Sequence, residues 1–234
     1  MITLGIDLSS QPKDTAACQI AWNDNGSAQI SAPLTSCDDD TLDQLIQQSQ
    51  VIGIDAPLGW PQGFVEAVNQ WDHAEWNTDL RDELRFRQTD RFVNQFFKNR
   101  KFHLSPLSVS TDRIALPAMR AMALLKRHGV TDKSGDGRFY EVYPAGSLAA
   151  WELRHKGYKQ GDHAAGKRRD ILNALRAKFP VLTIPSSYAE TDHALDALIA
   201  AITARLAALG LTQRPSQEQQ SAAKTEGWIH LPLS

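Results

Sequence analysis

The fold of this chain is decided by its first ten residues, Met1-Ile-Thr-Leu-Gly-Ile-Asp7-Leu-Ser-Ser10. Their apolar side chains predict a buried strand that ends on Asp7, and small polar residues follow at once. A second stretch, Val51-Ile-Gly-Ile-Asp55, repeats the arrangement before the chain turns away at Ala56-Pro-Leu-Gly59. The sequence therefore predicts two buried strands that each carry a carboxylate at the C-terminal mouth.

The segments around these two strands predict the rest of a sheet. Residues 15–22 favour a second strand, 23–26 a hairpin turn and 27–30 the start of a returning third strand. Residues 40–50 show helical periodicity and lead directly into the strand that ends on Asp55. We expect a three-stranded meander, a crossover helix and then a parallel strand.

The next segment, residues 58–136, has no strand signal and predicts a helical insertion whose clearest helix covers 115–128. Residues 139–143 predict a further strand that carries Glu141, and 146–156 predict the helix that follows it. Pro144 ends that strand, because proline cannot donate to a sheet ladder.

Two helices, at 167–179 and 191–209, close the predicted fold, and the second has a wide apolar face that must pack on the sheet. Residues 212–224 are expected to be loose, and 227–232 to form a short edge strand. The fold class is thus α/β: a mixed sheet flanked by helices in one domain, residues 1–234, with the insertion after the second acidic strand.

Composition restricts the classes of function. The 234 residues are 42% apolar and 22% charged with a formal net charge of -2, which indicates a globular protein and excludes a uniformly basic surface. Cys18 and Cys37 form no CxxC or Cys/His cluster, so thiolate zinc sites and disulfide scaffolds are not expected. Signal-type and membrane-spanning apolar runs are absent from the sequence, which predicts a cytoplasmic location without membrane association.

The helix at 191–209 supplies a second group of candidate residues. Asp192, His193 and Asp196 are spaced so that all three can project from one side of it. Asp192 and His193 also suit a helix start, where they would simply cap the helix. Asp196 stands a full turn inside an apolar stretch, where an ionised side chain is unfavourable without a partner.

Together these carboxylates predict a metal site. Asp7 and Asp55 alone could serve as turn residues that accept backbone N–H bonds. The accumulation of acidic residues favours Mg²⁺ or Mn²⁺, with Asp7, Asp55, Asp196 and Asp192 as candidate ligands. Two such ions about 4 Å apart can hydrolyse a phosphodiester bond.

A strand that ends Gly5-Ile-Asp7, a hairpin, a crossover helix, a strand that ends Gly53-Ile-Asp55 and a late helix with His193-Ala-Leu-Asp-Ala197 follow one another in this chain. This order resembles the RNase H-like fold, in the branch that contains Holliday-junction resolvases, whose late helix carries an Asp or His three residues before an Asp. The stretches Ile54-Asp-Ala-Pro-Leu-Gly59, Arg87-Gln-Thr-Asp-Arg91, Glu141-Val-Tyr-Pro-Ala145 and His193-Ala-Leu-Asp-Ala-Leu198 resemble, more closely, an uncharacterised bacterial domain family described as predicted RNase H-fold nucleases. The resemblance implies metal ligands at Asp7, Asp55 and Asp196, with Glu141 and His193 as further catalytic residues.

The insertion is the predicted source of substrate contacts. Basic and phenylalanine residues alternate between 81 and 102, and from these Arg87 and Arg91 are candidate phosphate contacts, together with Lys13 in the loop after the first strand. The alternative is an amphipathic helix with solvated ion pairs and buried phenylalanines.

The preferred function is that of a metal-dependent nuclease acting on DNA or RNA by a two-metal mechanism. A nucleotide-dependent ATPase or phosphotransferase on a related fold would use the same aspartates, although Ser9-Ser-Gln-Pro12 is not a glycine-bearing phosphate loop. A non-catalytic nucleic-acid-binding protein is the third class, since fold does not fix function. The oligomeric state stays open, with a homodimer as one option.

Overall fold

The computed structural model describes residues 1–70, 80–110 and 112–233. Positions 71–79 and 111 of the predicted insertion lie outside the described residues. The strands of the central sheet are β1 (Ile2–Asp7), β2 (Ala16–Trp22), β3 (Ala28–Ile30), β4 (Leu34–Thr35), β5 (Val51–Asp55) and β6 (Phe139–Glu141). The helices are α1 (Asp39–Gln47), α2 (Gln62–Asn69), α3 (Arg81–Arg85), α4 (Gln88–Asn99), α5 (Asp112–Arg127), α6 (Pro144–Ala150), α7 (Ala164–Lys178), α8 (Asp192–Ala208) and α9 (Gln220–Glu226).

The sheet is mixed and open, with strand order β3-β2-β1-β5-β6 and with β4 paired to β2. Its first half is the predicted antiparallel meander, which turns at Gly26 with a positive φ of 81°. After α1 crosses over, β5 runs parallel to β1, and β6 runs parallel to β5. The α/β fold with a mixed sheet and flanking helices is therefore confirmed.

Successive side chains of a strand point to opposite faces of the sheet, so the core has one layer on each face. On one face, Leu4 and Ile6 of β1 and the matching residues of β5 pack with α1 and α5. On the other face, β2 packs with α7 and α8, and the apolar residues of α8 are buried as predicted. Asp7 and Asp55 alternate with the residues of the first face, so both side chains point toward α8.

The predicted insertion is helical in its described parts, and its helix α5 belongs to the core of the sheet. Its residues Ala121, Leu124 and Leu125 are buried in the same cluster as Ile6 and Ile52. This helix therefore covers one face of the sheet, while α4 packs its phenylalanines with the C-terminal segment around Ile229.

Three predictions of local structure are wrong. Residues 227–232 make isolated bridges, Ile229 with Glu141 and Pro232 with Thr212, instead of an edge strand. The predicted helix at 146–156 ends at Ala150, and Glu152 then adopts a positive φ of 61°, so the chain enters a long loop before α7. The tail at 212–224 is not loose, because α9 begins at Gln220 and Glu226 accepts the backbone N–H of both Gln62 and Gln88. None of the helices in the described ranges combines the length and apolar character that crossing a bilayer requires.

Candidate metal centre

Asp7 and Asp55 lie side by side at the edge of the sheet. They are direct partners in the parallel register of β1 and β5, and each is the last residue of its strand. Because both point to the face covered by α8, their carboxylates meet at one place. The two strand aspartates predicted from the sequence are thus brought together.

Helix α8 brings the third carboxylate. Thr191 caps the helix by accepting the backbone N–H of Ala194 at 3.0 Å, and Asp196 follows one turn later, fully buried. One oxygen each from Asp7, Asp55 and Asp196 lies within 4.8 Å of the others. The described residues therefore contain a centre of three carboxylates from three different elements, which we call the aspartate triad.

The close packing of α8 on the sheet depends on two glycines. Gly5 and Gly53 are register partners on β1 and β5, two residues before the aspartates. A Cβ atom on Gly53 would lie 2.5 Å from the backbone oxygen of Ala200, and one on Gly5 would collide with the backbone of Ala197. Only glycine at both positions lets α8 approach closely enough to complete the triad.

A lysine and a tyrosine from the loop before α7 contact the triad. The hydroxyl of Tyr158 donates to Asp196 Oδ1 at 2.8 Å, and Lys159 Nζ lies 2.7 Å from Asp196 Oδ2. Burial would lower the pKa of Lys159, but the charges of Asp196 and Asp55 raise it above its ordinary value. The ammonium group is therefore a stable positive charge at the triad.

His193 contacts the triad from the other side. Its Nδ1 lies 2.6 Å from Asp7 Oδ2, and since a carboxylate accepts, this nitrogen carries the proton. The hydrogen bond with Asp7 raises the pKa of His193. The ring remains 40% exposed, so it can exchange protons with solvent while holding Asp7 in place.

Crowding of the carboxylates shows in their pKa values. Burial, together with the charges of Asp7 and Asp196, raises the pKa of Asp55 well above its usual range despite the nearby Lys159. Burial likewise raises the pKa of Asp196 to about 6. Three hard oxygen donors that are costly to ionise without a cation fit the ligand preference of Mg²⁺ or Mn²⁺.

A cavity of about 240 Å³ opens beside the triad. Its walls come from the strand ends, from α5 and the segment that precedes it, from the segment that follows β6 and from the C-terminal segment at Ile229. The residues that form most of its apolar lining are Leu8, Pro57, Pro106, Leu107, Ile114, Pro117, Val142, Tyr143 and Ile229. The predicted insertion thus forms one wall of the space next to the acidic mouth.

Glu141 and Arg87 are paired with each other, whereas the sequence predicts a catalytic residue and a phosphate contact. Arg87 is buried, and its guanidinium donates to both oxygens of Glu141 at 2.7 and 2.8 Å and to both oxygens of Asp90 at 2.9 and 3.1 Å. Glu141 also accepts the backbone N–H of Leu58 at 3.0 Å. Arg87 is therefore committed to protein carboxylates rather than to a phosphate, and Glu141 supports the site without joining the triad.

The remaining predicted residues lie further out. Asp192 is the first residue of α8, one turn before Asp196, and its carboxylate is not in the triad. Arg91 is exposed on α4 and donates to the backbone oxygen of Asp82 at 2.9 Å. Lys13 is exposed in a short 3-10 helix, Pro12–Asp14, after β1. Phosphate contacts by Arg91 and Lys13 stay predictions.

Sequence reasoning missed Lys159, Tyr158 and Arg120. Arg120 of α5 donates to the backbone oxygen of Ser9 and to Thr15 Oγ1, at 2.9 and 2.7 Å, and so fixes the loop that follows Asp7. Tyr158 and Lys159 lie at 157–166, between the predicted helices at 146–156 and 167–179, where the sequence predicts no regular element.

The fold and the site together define a class: an α/β protein with a three-carboxylate centre at the ends of adjacent parallel strands. The chain belongs to the family described as "Protein of unknown function (DUF429)", whose model matches residues 5–220. Comparison with curated proteins and with solved structures gave no match.

Proposed function

We propose that this chain is a metal-dependent nuclease that hydrolyses phosphodiester bonds of DNA or RNA. The observation that carries the proposal is the convergence of Asp7, Asp55 and Asp196 from β1, β5 and α8 to within 4.8 Å. An antiparallel meander, a crossover helix, a parallel strand and a late acidic helix also agree with an RNase H-like fold. Mg²⁺ or Mn²⁺ held by these aspartates would activate water and offset charge on the reacting phosphate.

The residues around the triad suit this reaction. His193 fixes the orientation of Asp7 through its Nδ1 and is exposed enough to accept or release a proton. Lys159 presents an ammonium group to any phosphate that reaches the triad. The adjoining cavity, with its largely apolar walls, can exclude water around a sugar or base next to the scissile bond.

The test compares the wild type with Asp7→Asn, which keeps the side-chain shape and removes one charge from the triad. Asp24→Asn is the matched control, because Asp24 is exposed in the turn between β2 and β3. Both are assayed with Mg²⁺ and Mn²⁺ on single-stranded, duplex, hybrid and branched substrates, and separately on ATP. We expect cleavage that Asp7→Asn lowers by roughly 100-fold or more, since several kcal/mol of stabilisation depend on the metal.

Two outcomes would contradict the proposal. ATP turnover without strand cleavage would favour the phosphotransferase that the sequence leaves as an alternative. Absence of both activities, together with no rise in melting temperature on adding metal, would leave the triad as a structural feature.

A further inference from the structure

Lys159 places a positive charge against the Asp196 carboxylate of the aspartate triad. Its Nζ lies 2.7 Å from Asp196 Oδ2, yet the side chain is 50% exposed whereas that of Asp196 is 1% exposed. The methylene stem therefore runs along the surface while the ammonium group reaches a buried carboxylate. Without Lys159, the negative charge of Asp196 would attract a cation from solution to this position.

The loop holds Lys159 in this position through contacts of its neighbours. Tyr158 is buried and donates its hydroxyl to the other oxygen of Asp196, while its backbone oxygen accepts from Arg168 Nη1 at 2.9 Å. Gly157 and Gly161 flank this segment with positive φ values of 71° and 95°, which only glycine adopts without strain. Both oxygens of Asp196 are thus engaged by consecutive residues of one loop.

Charge also favours a fixed ammonium group here. The triad carries three negative charges when fully ionised, and one divalent ion with one ammonium group offsets all three. A second divalent ion would leave two positive charges in excess in a largely buried site, where uncompensated charge is costly. Lys159 does not contact the carboxylates of Asp7 and Asp55 at salt-bridge distance. Their oxygens are therefore open to one metal ion.

We infer that Lys159 takes the place of a second metal ion, so that the triad binds one divalent cation beside a built-in ammonium group. This inference rests on the proposed metal site and changes its expected stoichiometry from two ions to one. Lys159 is then a residue that both limits metal loading and faces the substrate phosphate.

The experiment is calorimetric titration of the metal-free protein with Mn²⁺, with no substrate present. Four proteins are compared: the wild type, Lys159→Met, Lys159→Arg and the control Lys178→Met, whose side chain is exposed at the end of α7. We expect one Mn²⁺ per chain for the wild type, Lys159→Arg and Lys178→Met. We expect two for Lys159→Met, with the first bound roughly tenfold tighter or more, because a nearby ammonium group repels the ion.

Thermal unfolding gives a second readout. Without metal, Lys159→Met should melt below the wild type because the triad loses its counter-charge, and Mn²⁺ should raise its melting temperature more than that of the wild type. Lys178→Met should show neither change.

The inference is overturned if the wild type already binds two Mn²⁺ ions, or if Lys159→Met binds one with unchanged affinity. It is also overturned, together with the metal site, if neither protein binds Mn²⁺. If the stoichiometry changes as expected while no substrate is cleaved, the inference stands and only the nuclease proposal fails.

Discussion

Replacing Gly53 with alanine should disrupt the core and the aspartate triad together. The new Cβ would lie 2.5 Å from the backbone oxygen of Ala200 and 2.9 Å from the Cβ of Ala204, both on α8. Ordinary van der Waals contact begins at 3.4 Å, so α8 must move away by about 0.9 Å. A backbone carbonyl cannot rotate aside as a side chain can, so the helix itself has to shift.

The expected cost is at the upper end of that for overpacking, about 3 kcal/mol of unfolding free energy. The same shift would carry Asp196 away from Asp55. Metal ligands tolerate displacements of only about 0.2 Å, so we expect Mn²⁺ affinity to fall as well. Gly63→Ala is the matched control, because a Cβ at Gly63 meets nothing within 4 Å and the residue lies in α2. Alanine there should be neutral or slightly stabilising.

Denaturant unfolding measures the first effect and calorimetric titration with Mn²⁺ the second. If Gly53→Ala unfolds within 0.5 kcal/mol of the wild type, in the range of surface substitutions, the close approach of α8 is not needed for stability. If stability falls but Mn²⁺ affinity does not, the position of α8 does not control the triad, and our account of the site is wrong.

Two further predictions concern buried ionisable side chains away from the triad. Burial lowers the pKa of His230 to about 4 from 6.5, so the folded protein keeps it neutral, with Nε2 donating to the Ser134 backbone oxygen. The neutral ring contributes fully to the free energy of unfolding above pH 6.5, and about 3 kcal/mol of that free energy is lost as the pH falls toward 4. Denaturant unfolding across this pH range measures the loss, and His230→Gln should lack this part of the pH dependence. Arg87→Met should cost ~3 to 5 kcal/mol, because it leaves Asp90 and Glu141 buried without a cation. Adding Glu141→Gln should restore part of that loss, and a double variant no more stable than the single one would contradict the assigned network.

Much of the sheet could be predicted from the sequence because its signals are local. The alternating apolar residues of β1 and the turn at Gly26 each depend on a few neighbours, and the observed bounds agree closely with those expected. Asp7 and Asp55 followed from the same reasoning, since a carboxylate at the end of a buried strand needs a partner, and Asp196 from its place inside an apolar helix, although the sequence also predicted Asp192 as a ligand. The repeated Gly-Ile-Asp of β1 and β5 also held the signal for the close approach of α8, but a glycine in a strand does not by itself reveal what crosses it.

The burial of Arg87 and its pairing with Glu141 could not be predicted, because Glu141 lies 54 positions away in the sequence. The local sequence does not distinguish a buried arginine from a solvated one. An amphipathic segment with alternating basic and aromatic residues is compatible with nucleic-acid binding as well as with internal packing, which the pattern favours. The structure shows its phenylalanines in contact with each other and with Trp228. Three-dimensional pairing, rather than periodicity, decides between the two interpretations.

Lys159 escaped prediction for a further reason, and that reason bears on mechanism. The helix predicted to Lys156 would have left two residues before Lys159, whereas α6 ends at Ala150 and a loop reaches Asp196 through Tyr158. The positive charge at the centre therefore comes from an irregular segment, while the negative charges come from the two strands and the helix of the core. Strands and a buried helix hold the carboxylates in fixed positions, but a half-exposed lysine on a loop can move without unfolding the core. If metal or substrate rearranges this site, the half-exposed side chain of Lys159, rather than the loop backbone that Tyr158 anchors to Asp196, is the part with the freedom to respond.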